Sequence, residues 1–339
     1  VGQKRKLTKG QQRRIHANQA KRLARRDTEE TQVWSEEQLG PLQPGRVVSR
    51  FGQHADILDA DANIYRCNIR RAVQSLVTGD KVAWRKAPTQ EQGMQGVVEA
   101  VEERESELCR PDIYDGLKPV AANIEQIFIV SSPQPAFSDQ IIDRYLVACE
   151  DAGIQPIIVM NKTDLMTPDE AEFIQERLSV YQRMGYSVVR ASAATGEGIE
   201  ELRQCFIGKI SVLVGQSGVG KSSLIDKTLP EVSLLIGDIS VNSGLGQHTT
   251  TVARWYPLNE GGALIDSPGI REFGLWHMSA ERITQGFVDF HPFLGTCKFR
   301  DCRHDTDPGC ALQQAVAEGK LDARRLANFH RIIDSLEKS

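Results

Sequence analysis

No uninterrupted apolar stretch in this chain approaches the roughly 18 residues of a membrane-spanning helix, so no membrane partner is expected. There is no apolar h-region near the N-terminus either, which argues against secretion. Cysteine is scarce and odd in number: of seven, Cys67, Cys109, Cys149 and Cys205 stand apart from one another. That usage suits a reducing compartment better than a disulfide framework, with the cytoplasm as the default. No heptad seam or long exposed apolar strand is present, so a monomer is expected. Acids are missing altogether from residues 1–26, which hold ten Lys or Arg; that segment carries +10 and leaves −14 on the rest of a chain whose net charge is −4. Its few apolar residues, Leu7, Ile15 and Leu23, cannot build a core. Such a tail suits a polyanion, RNA first, although a solubilising extension or a transit peptide has the same composition.

What is present is the composition of a globular protein, 40% hydrophobic and 25% charged, at a length of 339 residues that suits two or three domains. Three loops carry nucleotide chemistry. Gly215-Gln216-Ser217-Gly218-Val219-Gly220-Lys221-Ser222 matches the phosphate-loop pattern G-x-x-x-x-G-K-[ST] in full. Its backbone N–H groups are expected to cradle phosphate oxygens at a helix N-terminus, with Lys221 reaching the β- and γ-phosphates and Ser222 ligating magnesium. Asn161-Lys162-Thr163-Asp164 suits guanine, because the Asp164 carboxylate can accept from both N1–H and the 2-amino group. Asp266-Ser267-Pro268-Gly269 offers a magnesium carboxylate and, at Gly269, an N–H facing the γ-phosphate. Each loop follows an apolar run, Ile157–Met160, Ile210–Val214 and Ala263–Ile265, as the strands of a covered parallel sheet do. The ligand edge of such a sheet lies at its carboxyl ends.

The order of these loops is unusual. The base reader precedes the phosphate loop, then come Thr249-Thr250-Thr251 and finally Asp266, so the motif set is circularly permuted. Thr250 is the expected switch ligand for magnesium, with Thr249 next. The position after Gly269, where many GTPases hold a water-orienting glutamine, is Ile270, which cannot hold water. His248, just before the threonines, is the best substitute for orienting or activating that water. Arg254 and Arg271 are weaker options for an internal arginine finger.

A second constellation, Cys297-x4-Cys302-x-His304-x5-Cys310, places three thiolates and an imidazole within fourteen residues. This is a closed, structural type of zinc set, with Asp301 and Asp305 as rival ligands and buried free thiols as the plain alternative. Upstream, five short strand patterns, Gly45–Phe51, Ala55–Asp59, Ile64–Arg71, Asp80–Arg85 and Gly96–Glu103, suggest a small barrel of the OB type. Arg66, Asn68, Arg70 and Arg71 on its central strand are RNA-contact candidates. Farther on, the pattern gives a strand at Ile124–Val130 and helices at Gln140–Asp151, Asp169–Met184, Ser279–Asp289, Ala311–Ala317 and Leu321–Leu336.

Taken together, Asn161 to Asp164, Gly215 to Ser223, Gly244-Leu245-Gly246-Gln247-His248-Thr249-Thr250-Thr251, Asp266 to Gly269 and the Cys297 to Cys310 cluster resemble the RsgA (YjeQ) family of ribosome small-subunit-dependent GTPases over nearly the whole chain. The resemblance implies GTP and GDP as ligands with magnesium, one structural zinc on Cys297, Cys302, His304 and Cys310, and an OB barrel. It also implies guanine contact at Ser192-Ala193 through the Ala193 N–H, Ser223 within the phosphate-loop set, and His248 in the hydrolytic role. The expected organisation is multidomain α/β: a basic tail and linker over 1–44, an OB-fold over 45–110, a circularly permuted P-loop GTPase domain over 111–275 and a helical zinc-binding domain over 276–339. The implied work is GTP hydrolysis stimulated by the small ribosomal subunit and its rRNA, late in subunit maturation, with release of assembly factors. A GTP-dependent metal-handling protein and a non-catalytic RNA-binding switch are the competing readings. Because Asp266 runs almost directly into the zinc region, the γ-phosphate contact at Gly269 is expected to move that region as a lever.

Overall fold

The computed structural model describes residues 34–35, 37–91, 93–112, 116–242, 253–266, 275 and 278–337. His248, the three threonines 249–251, Gly269, Ile270, Arg271 and the basic segment 1–26 lie outside the described residues. The chain packs as two compact units, the first drawn from residues up to 102, the second from residue 103 onward with the short segments 47–50 and 75–80.

Strands β1 (Leu42–Phe51), β2 (His54–Leu58), β3 (Ile64–Ile69), β4 (Lys81–Glu91) and β5 (Met94–Val101) close into a barrel in the order β1-β2-β3-β5-β4. Trp84, with no exposed surface, fills the space between two glycines, and its indole donates to the Pro44 carbonyl at 3.2 Å. A Cβ on Gly45 would stand 2.7 Å from the indole, and one on Gly96 2.9 Å from it. The RNA-contact candidates are engaged within the fold. Arg66 forms a two-bond pair with Asp56, Arg70 does the same with Glu99, and Asn68 is buried against the His54 ring. Sequence marks a strand as cationic but does not show the carboxylates that face it from neighbouring strands.

The second unit is built on a six-stranded sheet in the order β10-β9-β8-β11-β13-β12. Its strands are β8 (Gln126–Ser131), β9 (Gln155–Met160), β10 (Ser187–Arg190), β11 (Ile210–Val214), β12 (Arg254–Pro257) and β13 (Ala263–Asp266). All neighbours pair in parallel except β12, which is antiparallel to β13. The apolar runs form strands because both faces are covered. On one face Phe128, Val130, Ile157 and Val159 meet Leu202 and Phe206 of α3 (Ile199–Phe206) and Leu224 and Ile225 of α4 (Lys221–Thr228). α1 (Asp139–Ala152) packs on β8 and β9, and Gly153, in the left-handed region at φ 65°, terminates it. α2 (Pro168–Arg183) starts at a capping box in which Thr167 and Glu170 bond reciprocally, with proline at its first position. α5 (Pro230–Asn242) follows α4.

The C-terminal part holds α6 (Ala280–Gly286), a 3₁₀ segment Val288–Phe293, α7 (Ala311–Ala317) and α8 (Ala323–Glu337). Ser279 caps α6 as its sequence suggests, but the helix stops at Gly286 and tightens into the 3₁₀ segment, which contains Pro292. These elements share one apolar cluster with Val147 and Ala148 of α1, made up of Leu275, Met278, Phe287, Phe290, Leu312, Phe329, Ile332 and their neighbours. A hairpin of β6 (Glu107–Asp112) and β7 (Gly116–Ala122) also belongs to this unit and carries no clear sequence signal. Among the described residues no helix is long and apolar enough to cross a membrane.

Candidate functional site: a guanine-nucleotide cleft and a Cys3His cluster

Parallel pairing brings the carboxyl ends of β8, β9, β10, β11 and β13 to one edge, where Asn161, Ser192, Gly215 and Asp266 stand at or just past the ends of β9, β10, β11 and β13. The phosphate loop leaves β11 at Gly215. Its φ of +139° and the Val130 carbonyl, 2.2 Å from where a Cβ would stand, admit glycine alone. Gly220 closes the loop at the N-terminus of α4 with φ +94°, and a Cβ there would stand 2.4 Å from Asn161 Nδ2. Between them, Val219 is buried while Gln216 and Ser217 are exposed. Lys221 Nζ donates to the Gly215 and Gln216 carbonyls at 2.7 Å each, so its charge lies inside the loop where phosphate oxygens are to be met. Ser222 and Ser223 are exposed on the first turn of α4, and Asp266 is half-buried at the end of β13. Thus Ser222 and Asp266 are the members of the predicted magnesium set within the described residues.

Asn161, 1% exposed, braces the site rather than facing solvent. Its Nδ2 donates to the Val219 carbonyl at 2.9 Å, and its Oδ1 accepts from the Ala193 N–H at 3.4 Å. One buried side chain therefore ties the base-reading loop to the phosphate loop and to the Ser192-Ala193 loop. Lys162, left-handed at φ +60°, donates to the Gly218 carbonyl at 2.6 Å and to the Gln134 carbonyl at 2.7 Å. Asp164 sits in the 3₁₀ turn Thr163–Leu165, and its Oδ1 accepts from the hydroxyl of fully buried Ser192. That bond ties one carboxylate oxygen of Asp164 to the Ser192 loop. Thr163 donates to Glu197 Oε2 at 2.7 Å. Gln134 and Glu197 were not legible as site residues: the first acts through a carbonyl, and the second lies 34 positions from its partner.

The Cys/His motif also assembles. The Sγ atoms of Cys297, Cys302 and Cys310 and Nδ1 of His304 all lie within 4.8 Å of one another, and each sulfur is 3.6 Å from Nδ1. A tetrahedral zinc with ordinary Zn–S and Zn–N bonds requires an S···N edge of about 3.6 Å, so the donor set fits that ion. Asp301 and Asp305 are not in the group. The N–H groups of Ala311 and His304 donate to Cys297 Sγ and Cys302 Sγ, as partners of thiolates do. Desolvation, together with neighbouring thiols, pushes Cys302 up to about 12, so a cation is what would draw its proton off. Desolvation lowers His304, which favours the neutral, ligating imidazole. His304 holds φ +65°, an uncommon conformation for its type, and His330 bonds its carbonyl at 2.9 Å.

This permuted cleft has close counterparts among known proteins. The RsgA GTPase family model matches residues 101–276. The chain is 54% identical over 335 residues, 98% of its own length and 97% of the relative's, to the small ribosomal subunit biogenesis GTPase RsgA of Sodalis glossinidius. It is 55% identical over 336 residues, 99% and 97% of the two lengths, to that of Haemophilus influenzae. Its fold is similar to the crystal structure of YjeQ from Thermotoga maritima, with a TM-score of 0.72 and 30% identity over 88% of this chain and 100% of that one. It is also similar to YloQ, a circularly permuted GTPase, with a TM-score of 0.69 and 26% identity over 90% and 98% of the two chains. With the loop order, the sheet and these relatives in agreement, the chain belongs to the RsgA GTPase family.

Proposed function

We propose that this GTPase acts in biogenesis of the small ribosomal subunit, binding the subunit through its rRNA, hydrolysing GTP there late in maturation and leaving as GDP while other assembly factors are released. The observation that carries the reading is that Asn161, Gly215 and Asp266, which open the three nucleotide motifs in permuted order, stand at the carboxyl ends of parallel strands of one sheet, in a chain over half identical along nearly its whole length to relatives named for that work.

In this reading guanine lies against Asn161 to Asp164 and the Ala193 N–H. The phosphates lie along Gly215 to Ser223 with Lys221 on the β- and γ-groups, and Gly269 senses the γ-phosphate. Ser222, Thr250 and Asp266 would hold magnesium, which when bound neutralises charge building on the phosphate oxygens. His248 orients the attacking water in place of the glutamine that Ile270 displaces. Cys297, Cys302, His304 and Cys310 hold one structural zinc, and the five-stranded barrel, in the order of an OB-fold, offers an RNA-binding face. The division at 1–44, 45–110, 111–275 and 276–339 separates tail, barrel, GTPase and zinc region. The protein works as a cytoplasmic monomer.

The test is co-sedimentation with purified small and large subunits in GDP and in a non-hydrolysable GTP analogue. Retention on small subunits, stronger with the analogue and reduced by deletion of residues 1–33, is the expected result. Equal retention on both subunits in both nucleotides would refute the reading.

A further inference from the structure

Glu197 belongs to none of the nucleotide motifs, yet it touches both loops that would face the base. Its carbonyl accepts from the Ser192 N–H at 2.9 Å, which closes the turn whose serine hydroxyl holds Asp164. Its carboxylate accepts at 2.7 Å from the hydroxyl of Thr163, the residue directly before Asp164. The same Thr163 hydroxyl has only a longer alternative, the Ala191 carbonyl at 3.3 Å. Two further contacts fix where Glu197 itself stands. Its N–H donates to Thr195 Oγ1 at 3.3 Å. The next residue, Gly198, turns at φ +67° where a Cβ would lie 1.8 Å from the Arg190 carbonyl, so the chain must bend at this point before α3 begins.

We infer that Glu197 is a positioning residue for base selection, bracketing Asp164 from both sides so that its carboxylate meets the N1–H and 2-amino edge of guanine. The inference rests on the guanine-site reading above. A bidentate contact depends on orientation more steeply than a single hydrogen bond does, so loosening the bracket costs guanine more than hypoxanthine, which lacks the 2-amino group. Its part is that of an acceptor, which holds the Thr163 hydroxyl in one rotamer.

Displacement of a fluorescent GDP by unlabelled GDP, IDP and XDP, measured on the full chain, tests this. Glu197→Ala is expected to weaken GDP about fivefold and IDP less than twofold, narrowing the GDP to IDP ratio. Glu197→Gln, whose amide oxygen still accepts from Thr163, is expected to keep the parental ratio. Thr163→Val is expected to reproduce Glu197→Ala, and the double variant to add nothing further. Equal weakening of all three nucleotides by Glu197→Ala, or a Glu197→Gln variant as impaired as the alanine, would overturn the inference alone. Asp164→Asn should shift preference toward XDP whatever stands at 197. Unchanged base preference in that variant would overturn the guanine-site reading on which the inference depends.

Discussion

Replacing Arg325 with methionine should loosen the C-terminal helices from the nucleotide-binding sheet, at a cost that follows from its contacts. The Arg325 side chain is 3% exposed and Asp143, on α1, is 0% exposed. The guanidinium donates to Asp143 Oδ1, and to the two oxygens of Asp289 at 3.1 and 2.7 Å. It also lies 4.4 Å over the Phe287 ring. Methionine keeps much of the apolar stem and removes every donor. Asp143 then retains Tyr181 and Asn328, each at 2.7 Å, with no cation from Arg325 to face its charge. Breaking a buried pair from one side costs about 3–5 kcal/mol. At about 2–4 °C per kcal/mol for a unit of this size, the unfolding midpoint should fall by about 6–20 °C.

The same variant has a pH signature. Burial pushes the Asp143 carboxyl up and Arg325 pulls it down. Without Arg325 the folded-state value stands farther above the unfolded one, so protonation favours the folded state and stability is lost as pH rises through the raised value. The deficit against the parent should therefore be larger near about pH 7.5 than near about pH 5. Differential scanning fluorimetry at both values reads this. A midpoint shift under about 2 °C, or a deficit that grows on acidification, would refute the account of this network.

Three further outcomes follow from the site. Gly220→Ala must hold a left-handed conformation, at about 1–2 kcal/mol, and must push Asn161 from the Val219 carbonyl, at about 1 kcal/mol more. GDP affinity should fall about thirtyfold or further in equilibrium titration, whereas Gly208→Ala, left-handed too at φ +68° but outside the nucleotide motifs and with open space around its Cβ position, should cost stability and leave affinity near the parental value. Removing zinc with a chelator should lower the melting midpoint of the second unit, because Cys297, Cys302 and Cys310 pack in the same apolar cluster as Phe287 and Phe329. Since protons compete for the thiolates, zinc should be lost more readily at lower pH, which metal analysis after dialysis would measure.

The nucleotide cleft was largely legible because each loop follows a run of consecutive apolar residues, and a buried parallel strand needs no partner pattern to announce itself. Asn161, Lys221 and the Cys/His spacing carry their chemistry in local order. The hairpin β6–β7 and the short strand Arg254–Pro257 were missed because they are defined by the strands they pair with. The Asp143–Arg325 pair joins residues 182 positions apart, and neither has a local signal that separates a buried ion pair from two surface charges. For the barrel arginines the sequence shows the cations but not their partners: Arg66 and Arg70 pair with Asp56 and Glu99 from neighbouring strands. The lever expected from Asp266 is a proposal whose first segment, residues 267–274, lies outside the described residues. Leu275 and Met278, just past that loop, are buried in the apolar cluster of the C-terminal helices. Hydrogen exchange over 278–337, compared between GDP and a non-hydrolysable GTP analogue, should differ; identical exchange would remove the lever.

The most direct test of the central claim is steady-state GTP hydrolysis by the purified protein alone, with small subunits and with large subunits, repeated for His248→Ala. Turnover is expected to be slow alone, strongly stimulated by small subunits only, and no longer stimulated in the variant. Equally slow turnover under all three conditions would contradict it.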